Sequence, residues 1–84
     1  MPETRVARIK QLLTEHLHPT TLEIIDDGHK HQGHAHDGAG HFTVRIASGE
    51  FDGLSLLQCH RKVYAALESM MNSDIHALSI HIER

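Results

Sequence analysis

Ten of the 84 residues are histidine, and half of these, His29, His31, His34, His36 and His41, fall within residues 26–41. Neutral imidazole is a common metal ligand, and it is the one side chain whose ordinary pKa lies near physiological pH. Gly28, Gly33, Gly38 and Gly40 interleave with these histidines, a composition that opposes both a helix and a central strand. Two readings follow: a loop that donates metal ligands, or a solvated and merely polar one. His31 and His36 have the spacing of a zinc-binding pair, but with a single cysteine in the chain the usual sulfur-rich structural site is not expected. Adventitious zinc, nickel or copper binding is.

Two further places hold chemistry. His76 opens the last strand in the register of Leu78, Ile80 and Ile82, where a hydrocarbon would be expected. It must either be hydrogen-bonded in the core or sit at the end of the sheet as a candidate ligand. Cys59, His60, Arg61 and Lys62 cluster near the start of the second helix. A nucleophilic cysteine needs a base and an orienting third group, which this spacing does not indicate, so Cys59 is assigned to packing. His60, Arg61 and Lys62 form the candidate surface for a partner or for nucleic acid.

The elements that position these residues follow from periodicity. Val6, Ile9, Leu12, Leu13 and Leu17 predict a first helix over residues 1–17, entered at Pro2, with Thr4 or Glu3 serving its first turn and Pro19 ending it. Residues 21–26 are β-branched and apolar, and residues 41–48 alternate with Phe42, Val44 and Ile46 on one face, which predicts two strands paired antiparallel across the histidine loop. A loop that long seldom occurs in a compact domain without a use. Ser55 is the expected cap of a second helix over 56–72, with its apolar face drawn from Leu56 or Leu57, His60, Val63, Tyr64, Leu67 and Met70 or Met71. Residues 75–82 alternate again. The expectation is one α+β domain spanning 1–84, ordered α-β-β-α-β, with helices on one face of a three-stranded sheet.

Composition narrows the function. A chain of this size buries little more than ~60% of its unfolded surface, so a deep substrate cleft is not expected, and a non-enzymatic binding module is. There is no P-loop, no Ser-His-Asp arrangement and no convincing carboxylate pair. Formal charge is −3 with histidines neutral, and protonating all ten would carry it to +7. At neutral pH the chain lacks the basic excess of a dedicated nucleic-acid binder. Gly49-Glu50-Phe51-Asp52-Gly53 is one residue too long for the Gly-x-x-Gly clamp of a KH domain, and its two carboxylates would repel phosphate. One cysteine, no apolar leader and no stretch of roughly 20 apolar residues lead to the expectation of a reducing, cytoplasmic setting away from membranes.

Taken as a set, several short segments resemble the BolA family. They are Leu22-Glu23-Ile24-Ile25-Asp26, His41-Phe42-Thr43-Val44, Ser48 with Phe51-Asp52-Gly53-Leu54-Ser55, His60-Arg61-Lys62-Val63-Tyr64 and Ile75-His76-Ala77-Leu78. The resemblance implies an α-β-β-α-β fold similar to a class II KH domain. It also implies a monothiol glutaredoxin partner, with which a bridged 2Fe–2S cluster would be shared alongside glutathione. On this chain His76 would be one ligand and a loop histidine the second, His34 first by its Gly-His context and then His31. Some family members are linked to DNA binding through the second helix, so a transcription regulator is the alternative. Cys59 stands where the family usually carries arginine, and Asp27-Gly28 replaces a more usual Glu-Ser. Neither departure touches the proposed ligands.

Overall fold

The computed structural model describes residues 4–27 and 40–84. In chain order these form α1 (Arg5–Leu17), β1 (Thr21–Asp26), β2 (His41–Ala47), α2 (Leu56–Ala66) and β3 (Ala77–Ile82), with single 3₁₀ turns at Gly49–Phe51 and Glu68–Met70. The expected α+β order therefore holds. The sheet runs β1-β2-β3, β2 pairing antiparallel with β1 and parallel with β3.

Thr4 caps α1 by accepting a hydrogen bond at Oγ1 from the Ala7 amide at 3.0 Å, so the helix starts at Arg5 and not at residue 1; residues 1–3 of the expected helix lie outside the described residues. It ends as expected before Pro19, where His18 turns left-handed with φ 47° and returns its N–H to Thr14 O. Ile9, Leu13 and Leu17 are buried along one face. They pack with Phe42, Val44 and Ile46 of β2 and with the inner side of α2 in one core. Both helices thus cover the same face of the sheet, and Glu23, Arg45, Ser79 and His81 are exposed on the other.

Ser55 caps α2 in a full capping box with Gln58: the Gln58 amide donates to the serine hydroxyl at 3.2 Å and the Ser55 amide to Oε1 at 2.9 Å. Two expectations for this helix need correction. It ends at Ala66 and not at residue 72, because Leu67 shares its amide between Val63 O and Tyr64 O and the chain tightens into 3₁₀ geometry. Its inner face consists of Cys59, Val63 and Ala66, and Leu67 and Met70 continue the buried side into the 3₁₀ turn that follows. Leu56 and Leu57 are 56% and 60% exposed, Tyr64 is also exposed, and His60 is half-buried. The smaller Cys59 and Ala66, with Val63, set the phase of the helix against the core. β3 also starts later than expected, at Ala77: Ile75 is fully buried ahead of it, bridged to Met71.

The sheet end near Ala47 is closed by polar contacts. The buried Ser48 hydroxyl donates to Leu17 O, the last carbonyl of α1, and accepts from the Glu50 amide. Arg84 donates to Leu54 O at 2.7 Å and to Phe51 O at 3.4 Å, just ahead of α2. Ser48→Ala strands the Leu17 carbonyl and the Glu50 amide together. We expect it to lower the unfolding free energy by about 1–3 kcal/mol in urea denaturation, with the secondary structure retained.

Candidate functional site

Parallel pairing of β2 and β3 puts the first residues of both strands at the same end of the sheet, with His41 opposite Ala77. The β1–β2 hairpin opens at that end too. The Asp27 amide donates to His41 O at 2.9 Å and the Thr43 hydroxyl donates to the Asp27 carboxylate, which fixes where the loop leaves and returns. Gly40 is the return point. It is buried, has φ +76°, and its carbonyl accepts from the amides of His76 at 2.8 Å and Ala77 at 3.2 Å.

His76 is thereby held at the mouth of the histidine loop, immediately ahead of β3. Its side chain is exposed. Of the two readings the sequence allows, a hydrogen-bonded core histidine is not what forms; the ring sits at the end of the sheet. Ile75 on one side is fully buried and anchors the backbone that presents it, its amide donating to Met70 O at 2.9 Å. Loop candidates His31 and His34, with His29 and His36, lie outside the described residues. Among the described residues no three His, Cys, Asp or Glu side chains gather around a metal-sized space.

The basic trio is elsewhere. Arg84, at the far end of β3, bonds to Leu54 just before α2, so α2 begins at the end of the sheet opposite His76. His60 is half-buried there, while Arg61 and Lys62 are exposed. Lys62 also lines a shallow cleft of about 200 Å³ with His16, Leu17, Ala65 and Ala66 between the two helices. His60, Arg61 and Lys62 thus lie on α2, and His76 lies ahead of β3. The Gly49–Gly53 segment forms no phosphate-binding clamp: Phe51 is buried and Glu50 is engaged by His18 Nδ1 at 2.8 Å. The glycine at position 40 was not singled out from sequence as a partner of His76. Its signal was available only in the parallel strand pairing, which periodicity does not specify.

A mixed three-stranded sheet with two helices on one face, and an exposed histidine where a histidine-rich segment rejoins the sheet, define a small α+β domain. The family model described as BolA-like protein matches residues 13–83, and the chain belongs to that family. SufE-like protein 1 (chloroplastic/mitochondrial) of Arabidopsis thaliana is 40% identical over 84 residues, covering 92% of this chain and 23% of that protein. Protein BOLA1, chloroplastic, of the same plant is 39% identical over 83 residues, covering 93% of this chain and 52% of that one. The DNA-binding transcriptional regulator BolA of Escherichia coli (strain K12) is 32% identical over 74 residues, covering 88% of this chain and 70% of the regulator. The chain thus spans from about a quarter to about half the length of the two plant proteins. The solved BolA domain of SufE1 from Arabidopsis thaliana superposes with a TM-score of 0.83 at 40% identity, covering 99% of this chain and 94% of that domain. The plant names point to organelles, which does not fit the cytoplasmic expectation. No helix among the described residues is long and apolar enough to cross a membrane.

The exposure of His76 and the burial of Ile75 make a paired test of their roles. His76→Ala is expected to change the unfolding free energy by no more than about 0.5 kcal/mol, whereas Ile75→Ala should cost about 2–5 kcal/mol. Chemical denaturation of both variants measures this. A large loss for His76→Ala would make it a structural residue.

Proposed function

We propose that this chain is a non-enzymatic BolA-like adaptor that pairs with a monothiol glutaredoxin and co-ligates a bridged 2Fe–2S cluster shared with the partner and glutathione, serving cluster trafficking or iron sensing. The observation that carries this reading is the exposed imidazole of His76 at the mouth of the histidine loop. Imidazole suits iron, and an accessible ring on a buried backbone anchor is what an incoming partner's cluster would need. His34, and after it His31, is the proposed second donor from the loop. Cys59, the only thiol, is fully buried in the core, so nitrogen donors are what this side can offer. Imidazole in place of thiolate leaves a cluster less negative and usually raises its potential. A partner that depends on glutathione points to a reducing compartment, in the cytoplasm or in an organelle.

The described residues offer His76 but no cage of their own, so the remaining donors are assigned to the loop and the partner. In this reading the protein's tasks are to hold the His76 ring outward, to keep Cys59 away from the metal, and to present a docking face beside the loop.

A second reading, a DNA-binding regulator using His60, Arg61 and Lys62 on α2, draws on the printed name of the Escherichia coli relative. The acidic balance of the chain weighs against it. Binding of that kind would weaken linearly in log–log plots against salt, in proportion to the phosphates contacted.

Titration into a cluster-loaded monothiol glutaredoxin, followed by visible absorption and circular dichroism, tests the adaptor reading. We expect a spectral change that saturates at one equivalent and is altered by both His76→Ala and His34→Ala. An unchanged spectrum with wild-type protein would overturn the reading, and DNA binding across a salt series would then decide for the regulator.

A further inference from the structure

Gly40 has two relations to His76. Its carbonyl holds the His76 and Ala77 amides, and the edge of the His76 ring lies where a side chain at position 40 would begin. A Cβ added there would fall 2.7 Å from His76 Cδ2, 2.9 Å from Asp74 O and 3.1 Å from His76 N. The ring could swing aside, but the Asp74 carbonyl is backbone and cannot do so cheaply. The left-handed φ of +76° adds a conformational demand that only glycine meets freely.

We propose that Gly40 is the positioning residue for His76: the missing side chain is the space into which the imidazole settles, and it fixes the direction in which the ring leaves the sheet. Since Gly40 is also where residues 28–39 rejoin β2, the loop's anchor and the orientation of His76 are set by one residue. The bearing of this on cluster ligation rests on the adaptor reading above. The placement of the ring does not.

Gly53 supplies an internal control. Its φ is +77°, nearly that of Gly40, yet a Cβ there meets nothing within 4 Å. Alanine at either position pays the same backbone strain, and only at position 40 does it also strike His76.

The experiment is NMR of the whole protein, reading the His76 Hδ2 and Cδ2 resonances and the NOE from His76 Hδ2 to the Gly40 α-protons. The wild type should show that NOE. Gly40→Ala should move the His76 ring resonances well beyond any change caused by Gly53→Ala. Should Gly40→Ala fail to fold, Gly40→Asn replaces it, because asparagine tolerates positive φ while still carrying a Cβ. Absence of the NOE in the wild type, or ring resonances that stay put in the position-40 variant, overturns the proposal.

In the glutaredoxin titration, Gly40→Ala should alter the visible circular dichroism in the same sense as His76→Ala, and the double variant should match His76→Ala alone. An unchanged spectrum with wild-type protein sinks the adaptor reading while leaving the NMR result intact, and a wild-type response insensitive to His76→Ala removes His76 from the cluster. A spectrum that responds to His76→Ala but not to Gly40→Ala, despite a displaced ring, breaks the link between ring direction and ligation.

Discussion

The parallel pairing of β2 with β3, in register from His41–Ala77 to Ile46–Ile82, is the constraint on which the remaining architecture depends. Parallel neighbours cannot be joined by a tight turn; they need a crossover that returns the chain to the same end of the sheet. Here α2 lies in that crossover, over the face already occupied by α1. A three-stranded sheet gains independent stability from such cover. The same pairing brings the start of β3 to the hairpin mouth, so that one topological choice builds the core and places His76.

The two ends of the sheet are consequently unlike. At the Ala47 end, Thr20, Ser48, Glu83 and Arg84 make hydrogen bonds that tie α1, both outer strands and the approach to α2 together. At the His41 end the described contacts include those of the Gly40 carbonyl with His76 and Ala77 and of Asp27 with His41 and Thr43. Ion pairs on the open surface, such as Glu23 with Arg45 at 3.7 Å and Arg5 with Asp74 at 3.6 Å, belong to the class worth little in water.

What was legible in the sequence follows from which signals are local. The bounds of β1, the Thr4 and Ser55 caps and the alternating face of Phe42, Val44 and Ile46 are all decided within a few residues, and the structure reproduces them. The inner face of α2 was misjudged because large residues were preferred: Leu57 and Tyr64 look like core, yet Cys59 and Ala66 are the residues buried beside Val63. The apolar register expected for His76 does not form: His76 lies ahead of β3 and is exposed, and Ile75, next to the turn at Asn72 (φ 65°), is the buried residue before the strand. The role of Gly40 depends on strand pairing over a separation of more than thirty residues, and no local pattern encodes that. The loop histidines were conspicuous as a composition, and composition does not order donors around a site.

Cys59 has a consequence of a different kind. The chain's sole thiol is fully enclosed among the core residues on the inner face of α2. A small electrophile can reach it only when the helix lifts from the sheet, so alkylation becomes a clock for that opening. When closure outpaces alkylation the rate reports an equilibrium, and when alkylation is faster it reports the opening step itself. The residue that keeps sulfur out of reach of metal therefore also gives the domain a built-in gauge of how often its core is breached.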